Sequence, residues 1–151
     1  MKLAEALIAR ADLQKKISQL SSRMQHNAKV QEGEKAAEDI NELLLLYETL
    51  MVDLITFIKK INHTNAITVF KDGTLSDAIT ERDCLKGRIN TYRELYTAGI
   101  IRQERYSRTE IKFVRCIDPV KLQKQIDSLS KEYRELDTRI QETNWYTELV
   151  S

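Results

Sequence analysis

The sequence predicts a mainly α protein: an elongated four-helix bundle with a small β-sheet formed by the connections between the helices. Three observations lead there. Four long stretches repeat apolar residues at alternating spacings of four and three, the rhythm of one buried helix face. The chain holds a single proline and four glycines, too few for a β-sandwich that turns about every ten residues. Each connection carries a short run of β-forming residues between polar or glycine-containing flanks.

The first helix is predicted from Leu3 to Gln25. Ala6, Arg10, Leu13, Ile17, Leu20 and Met24 form its seam, widened at the start by Leu3 and Leu7. His26 and Asn27 end it, because imidazole favours the negative end of a helix dipole and Asn tolerates a left-handed cap.

The second helix is predicted from Glu38 or Asp39 to Asn62. Asp39 is its N-cap, with Glu42 at the capping-box spacing. Ile40, Leu44, Tyr47, Met51, Leu54, Ile58 and Ile61 form one seam; Leu43, Leu50 and Phe57 form a second. Leu45, Leu46 and Ile55 add apolar surface elsewhere. A helix this apolar needs cover on more than one side.

The third helix is predicted from Leu75 to Ala98, capped by Thr74 or Ser76 and closed by Gly99. Leu75, Ala78, Arg82, Leu85, Ile89, Tyr92 and Tyr96 share its seam, so Arg82 is a charge at a seam position. Gly87, inside the helix, implies a close helix contact or a bend. The fourth helix begins at Asp118-Pro119, Asp as N-cap and Pro at the first helical position. Leu122, Ile126, Leu129, Tyr133, Leu136 and Ile140 are its seam. The first and fourth helices carry narrow seams and are expected to pair mostly with each other.

The strand candidates are Ala28–Gln31, Ala66–Phe70 and Ile111–Ile117. Buried strands must pair to satisfy their backbone polar groups, so the three are expected to join one another or another subunit. Asp72-Gly73 marks a turn before the third helix.

Formal net charge is +1, from 24 basic and 23 acidic residues, which does not single out a dedicated nucleic-acid binder. Charge is nevertheless segregated. Lys29 to Asp53 holds two basic residues against seven acidic ones, and Glu81 to Arg115 holds nine basic against five acidic. Two cysteines, Cys84 and Cys116, without a C-x-x-C spacing, read as reduced thiols. The first ten residues do not form a signal peptide, and no run approaches the ~18 apolar residues of a membrane span. A cytoplasmic protein is expected.

No P-loop, dinucleotide fingerprint, H-E-x-x-H or zinc spacing occurs. The histidines, His26 and His63, each stand at a predicted helix end. Asn62, Thr64 and Asn65 form a polar cluster that caps the second helix or orients a small ligand. Arg82, beside Asp83, either joins an ion pair that sets helix register or lines an anion pocket. Arg102, Arg105, Arg108 and Arg115 are candidate phosphate contacts. The candidate ligand-binding set is therefore Asn62, Asn65, Arg82, Asp83, Arg102, Arg105, Arg108 and Arg115. No catalytic residue, metal or cofactor is assigned.

Five segments stand in order: Val30-Gln31-Glu32-Gly33-Glu34; Ile61-Asn62-His63-Thr64-Asn65; Asp72-Gly73-Thr74-Leu75-Ser76-Asp77-Ala78 with Arg82-Asp83; Ser107-Arg108-Thr109-Glu110-Ile111-Lys112; and Leu136-Asp137 through Ile140-Gln141-Glu142-Thr143-Asn144-Trp145. Together they resemble, over nearly the whole chain, a family of small bacterial helical proteins that is a domain of unknown function and sometimes bears the name septicolysin. His63 stands where that family carries a basic residue, usually Arg. The resemblance implies a haemolysin and brings no catalytic residues with it.

These readings favour one helical domain over residues 1–151. Its expected role is non-enzymatic self-association as a homo-oligomer, coiled-coil fashion, through helix 39–62, whose apolar surface exceeds what three neighbours cover. Two alternatives stand beside it: a nucleic-acid or phosphate-ligand binder acting through the basic segment Arg102–Arg115, and a haemolysin. An enzyme would need Asn62, Asn65, Arg82 and Asp83 to converge on one concave site.

Overall fold

The computed structural model of the chain describes residues 1–100 and 111–151. Arg102, Arg105 and Arg108 lie outside the described residues. Four helices run in order: α1 (Leu3–His26), α2 (Ile40–Ile67), α3 (Leu75–Gly99) and α4 (Pro119–Tyr146). A two-stranded antiparallel sheet, β1 (Val69–Phe70) and β2 (Gly73–Thr74), lies between α2 and α3. The protein is mainly α with a small sheet. The chain divides into two compact units, Met1–Ser76 with Gln141–Ser151, and Asp77–Ile140.

In the first unit α1 packs along α2. Leu3, Ala6 and Leu20 of α1 meet a core that includes Leu43, Leu54 and Ile61 of α2. Every residue of the predicted α1 seam is at least half-buried. The packing seen for α1 is thus on α2, the apolar helix. The α1–α2 connection is closed by side chains. Asn27 donates through Nδ2 to the Arg23 carbonyl at 2.8 Å and accepts from the Glu38 backbone N–H at 3.0 Å. Arg23 also forms a two-pronged ion pair with Glu38, so the end of α1 is tied to the start of α2. Asp39 caps α2, its Oδ1 accepting from the Asn41 N–H at 2.8 Å.

The α2 helix runs five residues past the predicted stop at Asn62. Asn62, Thr64 and Asn65 therefore lie within the helix and do not cap it, and His63 is not at a helix end. Thr64 explains the continuation. It is buried, and its hydroxyl donates to the Lys60 carbonyl at 2.7 Å, so it sits in the helix without an unmet donor. The end comes at Thr68, whose N–H and hydroxyl both donate to the Thr64 carbonyl, at 3.0 and 2.7 Å.

The strand expectations are mostly overturned. Neither Ala28–Gln31 nor Ile111–Ile117 is a strand, and of Ala66–Phe70 only Val69 and Phe70 are. They pair not with a distant segment but with the residues just beyond the turn, Phe70 with Gly73 and Val69 with Thr74. The turn itself is Lys71-Asp72, with Lys71 at φ 51°, the positive value a two-residue hairpin demands. Ile111, Phe113 and Val114 are more than four-fifths exposed. An alternating pattern without a partner strand to hydrogen-bond gains nothing from extended pairing.

The first unit is closed by the last residues of the chain. Leu3 N–H donates to the Thr147 carbonyl at 2.9 Å, and Leu149 N–H to the Met1 carbonyl at 2.8 Å. Val150 N–H donates to Thr64 Oγ1 at 3.1 Å. The Thr64 hydroxyl thus bridges α2 and the C-terminal segment.

In the second unit α3 and α4 pair. The α4 seam is as predicted, with Leu122, Ile126, Leu129, Leu136 and Ile140 all buried. Asp118 caps α4, its Oδ1 accepting from the Val120 and Lys121 N–H groups at 3.1 and 3.2 Å. Gly99 is the last residue of α3, and its φ is not positive. A Cβ there would instead overlap Ile117 Cγ1 and Cδ1, so that side chain would have to shift. Gly87 has open space where a Cβ would stand, so the close contact inferred for it does not exist.

Candidate functional site

Two features of the surface rise above an ordinary helical exterior: an apolar face on α2, and a basic cavity between α3 and α4.

On α2, Leu43, Leu54 and Ile61 point into the core. At 100° per residue, Leu44, Leu45, Glu48, Val52, Ile55 and Lys59 fall on the other side, within about 100° of one another. All six are exposed, Leu45 by 72% and Val52 by 62%. Leu44, expected in the first seam, belongs to this outer face. Thr49 and Thr56, beside the stripe, donate to the Leu45 and Val52 carbonyls at 2.9 Å each, so they hold no polar group out for a ligand. Helical geometry sorts the two predicted seams: all of the first but Leu44, and all of the second, are buried or half-buried, and the surplus forms a stripe that no described residue covers.

On α3, Arg82 occupies the seam position the sequence gives it and resolves its charge through two carboxylates. Nη1 donates to Asp137 of α4 at 3.0 Å, while Nε and Nη2 donate to Asp83 at 3.1 and 3.0 Å. Burial works against the guanidinium charge, but the hydrogen bonds to Asp83 and Asp137 outweigh it and raise the Arg82 pKa above its ordinary value. This is the register-setting reading of Arg82. With both carboxylates engaged, Arg82 has little capacity left for a free anion.

The Arg82–Asp137 pair aligns α3 and α4 antiparallel. One turn along, Lys86 comes level with Tyr133; a further turn brings Ile89 level with Ser130. Here lies a cavity of about 250 Å³ lined by Lys86, Ile89, Asn90 and Arg93 of α3 and Ser130, Tyr133 and Arg134 of α4. No acidic residue lines it. The sequence reading missed these residues, although Lys86, Asn90 and Arg93 follow the i, i+4, i+7 pattern of one helix face.

The remaining predicted site residues lie elsewhere in the chain. Asn62 is exposed and Asn65 half-buried on α2 in the first unit; Arg82 and Asp83 are in the second unit. Arg115 is exposed in the segment before α4. Cys84 and Cys116 are free and exposed. Among the described residues no group of His, Cys, Asp or Glu is placed to hold a metal, and no helix is long and apolar enough to cross a membrane.

The four helices and small sheet, bearing an apolar helix face and a basic cavity, define a mainly α protein. The chain belongs to a family of unknown function (DUF6847), whose model matches residues 10–149. It is also similar to a functionally unknown conserved protein from Corynebacterium diphtheriae with a crystal structure, at 41% identity, 99% coverage of both chains and a TM-score of 0.92. No curated protein matches.

Proposed function

We propose that this chain is a non-enzymatic, self-associating helical protein of the cytoplasm, and that its copies pair through the outer face of α2. The observation that carries the reading is the stripe of Leu44, Leu45, Val52 and Ile55, exposed along one side of a helix already buried on the other. A contiguous apolar patch of this kind is costly to leave in water and is the usual mark of a contact surface.

The charges on the stripe favour a second copy as the occupant. Glu48 lies toward its start and Lys59 toward its end, and neither makes an ion pair with a described residue. An antiparallel copy centred between Asp53 and Leu54 sets Val52 against Ile55 of the second copy and Glu48 against its Lys59. Such a contact is self-complementary about a two-fold axis, as an isologous dimer requires. The free, exposed thiols of Cys84 and Cys116 accord with a reducing compartment.

Sedimentation equilibrium on Val52→Glu tests the reading. The position is exposed in the single chain, so the variant keeps its fold by circular dichroism while its assembly dissociates. A Val52→Glu protein that associates as strongly as the parent contradicts the reading.

A further inference from the structure

We infer that the cavity between α3 and α4 is a binding site for a small phosphorylated molecule, a site that does not involve the α2 face. Three cations, Lys86, Arg93 and Arg134, line one concavity. None of the three side chains has a hydrogen bond or ion pair to a described residue. Three like charges around one space repel one another, and the field they sum to is relieved by an anion. The neighbouring cation on the same helix face is treated differently: Arg82 is neutralised by Asp83 and Asp137. The positive charge of the cavity is therefore local and uncompensated among the described residues.

The rest of the lining suits an anion that carries an organic body. Ser130 Oγ is buried without a hydrogen-bond partner among the described residues, a donor that a phosphate oxygen would satisfy. Asn90 adds an amide. The buried side chain of Ile89 and the half-buried ring of Tyr133 form an apolar floor. Lys86 and Arg93 are two turns apart, about 10 Å along the helix, so the cations reach around more than one small ion. A phosphate monoester with a ring or chain of modest size matches that span: the guanidinium groups take the phosphate oxygens as paired donors, and the apolar floor takes the body.

The test is titration of the labelled full chain, following amide resonances of Ile89, Asn90, Ser130 and Tyr133. Inorganic phosphate, phenyl phosphate and a single-stranded RNA oligonucleotide are the probes. The inference predicts saturable shifts at those amides, with phenyl phosphate binding several-fold more tightly than phosphate and both weakening as salt rises. Arg93→Ala and Arg134→Ala, both at exposed positions, each weaken phenyl phosphate about tenfold or more. Arg88→Ala, which removes a cation turned about 200° away from Lys86 on the same helix, leaves it unchanged. Absence of saturable shifts at these amides overturns the inference. So does equal binding by Arg88→Ala, Arg93→Ala, Arg134→Ala and the parent, or binding of the RNA without binding of phenyl phosphate.

Discussion

Arg82 of α3 donates from Nη1 to Asp137 of α4 at 3.0 Å, across the seam of the second unit and 55 residues away in sequence. This ion pair sets the two helices in register, and the cavity one to three turns further along follows from that register. The Arg82 side chain is 21% exposed and that of Asp137 35%, so the pair lies between a surface bridge and a buried one. Asp137→Ala is expected to cost about 1–2 kcal/mol, between the surface and buried limits. Asp83→Ala, at an exposed partner, should cost under about 0.5 kcal/mol. Urea denaturation of the two variants separates them.

Two glycines make opposite predictions. Gly87 lies inside α3 with open space at its Cβ position. Gly87→Ala should therefore stabilise the protein by up to about 1 kcal/mol, the helix-propensity difference. Gly99 has Ile117 where its Cβ would be. Gly99→Ala should be destabilising despite the better propensity of alanine, because Ile117 must move. Thermal melts of both variants read the sign directly.

The buried Thr64 hydroxyl donates to the Lys60 carbonyl and accepts from the Val150 N–H. Thr64→Val keeps the shape and removes both bonds, leaving a part-buried amide unmet. A loss of about 1–3 kcal/mol is expected. Faster hydrogen exchange at Val150 than in the parent would mark the released C-terminal segment.

Two exposed carboxylates give the pH dependence. A hydrogen bond from Arg23 holds the Glu38 pKa below its ordinary value, outweighing partial desolvation. Hydrogen bonds from Lys2 and the terminal amino group do the same for Glu148. A lowered carboxylate pKa stabilises the fold above the ordinary glutamate value, and this contribution disappears as pH falls through the folded-state value. The α1–α2 connection and the contact of the two chain ends should therefore loosen first on acidification. Amide exchange at Glu38 and Leu149, measured from neutral to acid pH and corrected for intrinsic rates, should show protection falling there before it falls in the α4 core.

The parts of this fold that were legible in the sequence are those set by local periodicity. The seams of α1, α3 and α4 are buried or half-buried where spacing placed them, and Asp39 and Asp118 cap as their side-chain chemistry dictates. The misreadings arose where a local signal had a tertiary answer. Asn62-His63-Thr64-Asn65 resembles a helix stop, yet Thr64 bonds back to its own helix and then to Val150. The alternation of Ile111 to Ile117 resembles a strand, yet no described strand lies beside it. Arg82 was visible as a seam charge; the cavity was not, because Lys86 and Arg93 acquire Ser130 and Arg134 as neighbours only through the register that Asp137 sets. The surplus apolar surface of α2 was evident, but which leucines carry it depended on which side of the helix faces α1.

Self-association through that surface is the central claim, and sedimentation velocity of the full chain at micromolar concentration tests it most directly. The account predicts a species heavier than the 17.6 kDa chain, reduced toward that mass by Val52→Glu and by Glu48→Lys, and restored when Glu48→Lys is combined with Lys59→Glu. A parent chain that sediments as a monomer across that range would contradict it.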